Sequence, residues 1–197
     1  MSDIIKAGAG LIFMKVGTHA KQGLEEIIAR KAKEIADAGY GMWGYGGNTC
    51  HPRTMVQPFA EDFAKRGGAV YLWMEEMDSN HFAEPLRASR YSIDGVAWRD
   101  VPSTINVLGS RFALVIDELR RERFTLPLHQ TRVAVGISQG RNGSRYVQGR
   151  ADKACLEVIP ASERPNDVEE RDIEIHLVAR LRPPYAVFLS EEGGKVA

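Results

Sequence analysis

The sequence predicts an α+β domain with a mixed, curled or barrel-like β-sheet, about three helices and an antiparallel β-meander at its C-terminal end. Three observations carry that expectation. Short apolar runs bounded by glycines read as buried strands. Two segments with apolar residues three and four apart interleave with those strands in the first half. The second half turns to alternating runs around an Asn142-Gly143 pair, a strong hairpin signal.

Taken in order, 11–16 (LIFMKV) is short, apolar and glycine-flanked, hence a strand. Residues 23–38 place Leu24, Ile27, Ile28 and Ile35 on one helical stripe, and Gly39 supplies the stop. Residues 40–45 read as a second strand, followed by a loop over 46–53. A helix over 56–65 ends at Arg66-Gly67-Gly68, and 69–77 (AVYLWMEEM) is a third strand. Glu84-Pro85 and the turn at 92–95 predict short irregular pieces over 78–103. Ser110 reads as an N-cap to a third helix, with Phe112, Val115, Ile116 and Leu119 as its apolar face. Arg120, Arg121 and Arg123 suit the negative pole of that helix. Residues 132–137 and 144–148 then pair across the Asn-Gly turn. The stretches 155–159, 172–181 and 185–189 complete the sheet, with a polar acidic loop over 161–170.

The length of 197 residues suits one domain, placed at 1–190 with a flexible tail at 191–197. Hydrophobic residues make up 44%, enough for an independent core. Lys+Arg and Asp+Glu are 26 each, so the chain lacks the positive excess of a protein that coats nucleic acid unselectively. A local basic groove is still allowed. With two cysteines, Cys50 and Cys155, a disulfide framework is excluded. No basic region precedes an apolar run at the N-terminus, and the longest apolar runs fall far short of a membrane span. The expectation is a cytoplasmic protein with no membrane partner.

Two motif strings lose their meaning in context. Residues 39–44 match G-x-G-x-x-G, but the dinucleotide fingerprint runs from strand to helix, and here a helix ends where a strand begins. Residues 136–140 match G-x-S-x-G, yet a nucleophile elbow needs a helix after the serine, and turn chemistry follows instead.

Three groups of residues remain as candidates. Trp43, Tyr45, Asn48 and Trp73 combine aromatic faces with glycines that let a ligand approach the backbone. Arg141 and Arg145 lie in a basic stretch over 131–153 that would meet phosphates, although the acidic stretch at 163–174 offers the simpler fate of mutual neutralisation. Cys50 and His51 share a glycine-rich loop, and with His81, His19, Glu75 and Asp78 they form a possible reactive or metal-binding group if they converge. The leading expectation is a ligand-binding module for a base, nucleotide or single-stranded nucleic acid. The alternatives are a small hydrolase-type or metal-dependent enzyme built on Cys50 and His51, and a structural domain that forms a homodimer around an apolar patch carrying Trp98 or Phe82.

The order of the first half also resembles a known family. A strand ending in lysine (LIFMK), a helix, Trp43 at the end of the next strand, Gly47-Asn48 after it, and the strand VYLWM together resemble the PUA-like superfold, nearest to its EVE and YTH branches. That resemblance spans about 11–77. It implies an aromatic cage for a modified base, in which Trp43 would match a wall and Asn48 the asparagine of the Gly-Asn pair that follows it.

Overall fold

The computed structural model describes residues 6–19, 21–45, 53–81, 86–148 and 153–191, with backbone only for 79–81 and 191. Strand β1 (Gly10–His19), helix α1 (Leu24–Ala38), β2 (Gly41–Gly44), α2 (Arg53–Lys65) and β3 (Tyr71–His81) make the first half. β4 (Ala88–Ser92), β5 (Trp98–Asp100), β6 (Phe112–Pro127) and β7 (Thr131–Val133) follow. The short helix α3 (Gly143–Tyr146), β8 (Lys153–Val158) and the long β9 (Asp172–Glu191) complete the chain. The sheet runs β2-β6-β9-β3-β1-β8-β7, and β4 with β5 hangs from the far end of β9. Only β1 and β3 pair in parallel among these ladders, so the sheet is mixed, and it is not closed into a barrel. The fold class is α+β, as the patterning predicts.

The first five elements form where their residue pattern puts them. α1 opens at Gly23, whose amide donates to Glu26 Oε2 at 3.1 Å, and closes at Gly39, which adopts the left-handed φ of 77° that glycine tolerates at a helix end. Leu24 and Ile27 are buried, with Ile28 and Ile35 packed against the same core. Lys31 and Glu34 share that stripe and are buried too, at 3% and 1% exposure. Lys31 Nζ donates to Glu34 Oε2 at 2.8 Å and to the Asn106 carbonyl at 2.8 Å, while the Asn106 amide donates to Glu34 Oε1 at 3.0 Å. The pair therefore clamps the 101–109 segment to the helix through both backbone groups of one residue. Burial pulls the Lys31 ammonium down to about 8, against the opposing pull of Glu34.

Three cores result. α1 and α2 cover one sheet face, burying Ile12, Trp43, Tyr45, Phe59, Leu72 and Leu177. On the opposite face, Leu11, Phe13, Trp73, Leu126 and Val178 pack with Leu128, Val133 and Val147. Further along that face, Ile105 and Val107 of the clamped segment cover Met42, Val115 and Val187.

Strands β4 and β5 form within the stretch expected to be irregular, the runs 172–181 and 185–189 join in the single strand β9, and two further elements differ in kind from the sequence expectation. Residues 112–127 are strand β6, not a helix. Ala113 and Val115 enter one core while Leu114 and Ile116 enter another. A strand buried on both faces loses its alternation and mimics helical spacing, so β-branched Val115 and Ile116 were the better guide. The Asn142-Gly143 pair does not turn a hairpin. Asn142 instead caps α3, accepting from the Ser144 amide at 2.9 Å. Gly143 sits so tightly that a Cβ there would stand 2.7 Å from the Leu128 carbonyl.

Candidate nucleic-acid interface

Topology separates the residues that the sequence brings together. Trp43 and Trp73 lie on opposite faces of the sheet, 5% and 1% exposed, so they cannot be two walls of one site. Trp73 meets Phe124 edge-on at 5.0 Å, and Tyr45, fully buried, meets Phe112 at 5.4 Å. These are core contacts. The glycines of β2 serve packing as well: a Cβ on Gly44 would stand 3.2 Å from Ser110 Cβ. Asn48, Cys50 and His51 lie outside the described residues.

Arg141 and Arg145 do not flank Trp43. They follow β7, and β2 and β7 are the two edges of the main sheet, six steps apart. At ~4.8 Å per step this is roughly 29 Å. The acidic segment answers part of its basic neighbour: Arg145 meets Asp167 at 3.3 Å and Arg132 meets Glu163 at 2.9 Å, with Glu157 of β8 at 3.0 Å, while Arg141 has no ion pair among the described residues.

The proposed convergence of Cys50 and His51 with His19 and His81 meets a similar obstacle. His19 and His81 are register partners at the carboxyl ends of β1 and β3. β2 runs antiparallel to both through β6 and β9. Tyr45 and Arg53, the described residues on either side of Cys50 and His51, therefore stand at the other end of the sheet. Among the described residues no group of three His, Cys, Asp or Glu side chains stands together to hold a metal ion.

The remaining tryptophan behaves differently. Trp98 is half-buried and opens β5. In register, Ser92 faces Trp98 and Phe188, while Arg90 faces Asp100 and Ser190. Strand alternation thus puts Trp98, Arg90 and Phe188 on one face. Arg53, the first described residue of α2, joins them. Its guanidinium lies 4.8 Å from the Phe188 ring centroid and hydrogen-bonds the Ile93 carbonyl. Desolvation lowers its proton affinity, against the pull of Glu61 and Asp94.

The loop between β4 and β5 is held rigid. Asp94 Oδ1 accepts from the Val96 and Ala97 amides, each at 2.8 Å. These two bonds, with the Ser92 hydroxyl, hold its carboxyl down at about 2. Gly95 takes φ 83° here, and a Cβ would touch the Phe188 ring at 3.4 Å. The loop presents Ile93 and Val96 to solvent, 41% and 83% exposed.

Among the described residues, Arg53, Arg87, Arg90, Arg99 and Arg111 form no ion pair, as is also true of Arg123, Arg141, Arg164, Arg171 and Arg182 elsewhere, whereas Arg120, Arg121 and Arg180 are each answered by carboxylates. Asp94 and Asp100 are the acids within 86–111, so the region is positive on a neutral chain. The first turn of α2 carries no acid, which leaves the positive pole of its dipole uncompensated. A cleft of about 270 Å³ opens beside this patch, lined by Arg87, Ala88, Ser89, Val101 and Ser103.

Sequence reasoning names Trp98 only for an apolar dimer patch and misses all five arginines. The signal that was available is four arginines against two aspartates between 86 and 111. Compared with protein-family models, with curated proteins and with solved structures, the chain finds no match.

Proposed function

We propose that this chain is a binding module for single-stranded nucleic acid or its nucleotides, with the β4–β5 end as the contact surface. The observation that supports this reading most is the company Trp98 keeps. It is the tryptophan that retains exposed surface, and it shares a face with Arg90, Phe188 and Arg53, while Arg99 follows it in β5 on the opposite face. An accessible aromatic face stacks any base, and unpaired guanidiniums take phosphates. The kinship with the PUA-like superfold stays part of the proposal. It gains nothing from Trp43, whose indole is enclosed.

The test is a fluorescence titration with short single-stranded DNA and RNA at two salt concentrations. Saturating quenching that weakens with salt is expected, and Trp98→Ala should cost ~1–3 kcal/mol of affinity, the worth of one stacked base. A flat titration for wild type at both salts would overturn the reading.

The exposed Ile93 and Val96 favour a second reading, contact with another copy of the chain. A sedimentation profile that shifts with concentration in wild type, and not in Val96→Asp, would support it.

A further inference from the structure

The cleft beside the arginine patch has a composition of its own. Its lining holds one guanidinium, Arg87, two hydroxyls, Ser89 and Ser103, and the apolar Ala88 and Val101, with no carboxylate. Arg87 is fixed in place, since its Nη2 donates to the carbonyls of Ile105 at 2.7 Å and Ser103 at 3.2 Å. That leaves its other nitrogens without a partner among the described residues. The hydroxyls of Ser89 and Ser103 likewise have no described partner. The wall behind them is firm, because the Val101 amide donates to the Ser89 carbonyl at 2.8 Å and the Lys31–Glu34 clamp holds Asn106.

We propose that this cleft is a binding site for a phosphoryl group. A fixed guanidinium and two hydroxyls that line one cleft offer several donors and no acceptor carboxylate, which suits an oxyanion. The volume of about 270 Å³ falls just under the ~300–1,000 Å³ of sites that enclose a whole drug-sized ligand. The cleft therefore holds one group of a larger molecule, or a free anion. Val101 lies three residues beyond Trp98, ~10 Å along an extended chain. A strand stacked on Trp98 can end in the cleft, so the favoured source is a terminal phosphate. That choice of source rests on the nucleic-acid reading, whereas the chemistry of the cleft does not.

The experiment compares one labelled oligonucleotide carrying a 5′-phosphate, a 3′-phosphate or neither, binding the full chain, with thermal unfolding in inorganic phosphate alongside. One end-phosphorylated form should bind about ten-fold more tightly than the unphosphorylated form, the effect of a charge-assisted contact. Ser103→Glu, at an exposed position, should erase that difference, and any loss its charge causes for the unphosphorylated form should be smaller than the loss for the phosphorylated one. Arg87→Gln should act in the same direction, but it also frees the 103–105 carbonyls, so Ser103→Glu is the deciding variant. Equal binding of all three forms overturns the cleft proposal and leaves the nucleic-acid reading intact. If no oligonucleotide binds, but inorganic phosphate raises the unfolding temperature of wild type and not of Ser103→Glu, the cleft proposal holds with free phosphate as its source and the nucleic-acid reading falls. No response to either ligand overturns both.

Discussion

Asp94 shows how one side chain shapes the proposed surface. Its carboxylate is exposed, yet the Val96 and Ala97 amides and the Ser92 hydroxyl hold its proton affinity down at about 2. A depressed carboxyl contributes stability above its unfolded value of ~3.9, and that contribution is lost as pH falls through the folded value. The 92–97 loop should therefore keep its form from neutral pH down to about pH 3 and loosen near pH 2. Amide exchange and chemical shifts of Val96 and Ala97 across that range would check it. An early change, near pH 4, would show the hydrogen bonds to be weak. Asp94→Ala should free the same two amides at neutral pH and leave the remote cores untouched. The turn at 92–95 was legible from Asp94-Gly95. Which tryptophan stayed accessible was not, because burial depends on what packs over a strand. Trp43 sits beside glycines, which suggested an open approach, but Ser110 and α1 fill that space.

Among the elements, α1 with its clamp makes the sharpest prediction. Lys31 and Glu34 are both buried, so removing one partner strands the other. Glu34→Ala should cost ~3–5 kcal/mol, read by chemical denaturation, whereas replacing both with apolar residues of similar volume should be near neutral. Lys31 titrates near 8 when folded, against 10.5 for an unperturbed lysine. Between those values the unfolded chain binds more protons, so the contribution of this group to stability rises with pH from about 8 to 10.5. Denaturation midpoints at pH 7 and 10, compared between wild type and Lys31→Met, would isolate it. A wild-type difference no larger than that of Lys31→Met would refute the assignment. The stripe that carries the clamp was readable: Lys31 and Glu34 stand four and seven residues after Ile27. The segment they clamp was not, since no local pattern ties Asn106 to a helix seventy residues earlier. β6 was lost for a related reason, because burial on both faces removes the alternation by which a strand is known.

At the scale of the whole molecule, a chain with no net charge still segregates its charge. The basic stretch over 131–153 and the acidic stretch over 163–174 partly cancel through pairs such as Arg145–Asp167, as their balance in the sequence allowed. In β6 and β9, Arg120 and Arg180 are spent on Asp117, Glu118 and Glu122, and Arg121 on Glu25 and Glu76. Four described arginines without an ion pair, Arg87, Arg90, Arg99 and Arg111, stand toward the β4–β5 end, which hangs from β9, itself four strands across the sheet from β7. This separation makes the location of binding testable without knowing the ligand sequence. Arg90→Glu, on the face of Trp98, should weaken oligonucleotide binding and flatten its salt dependence, and Arg99→Glu, on the opposite face of β5, should do so less. Arg141→Glu and Arg145→Glu, at the distant end, should leave both unchanged. If four or five arginines meet phosphates, log K should fall against log salt with a slope of roughly −3, from ~0.7 counterions released per contact on a single strand. A slope near zero would mean that stacking acts without phosphates. A loss caused by Arg141→Glu or Arg145→Glu, and not by the β4–β5 substitutions, would move the contact surface to the α3 edge of the sheet.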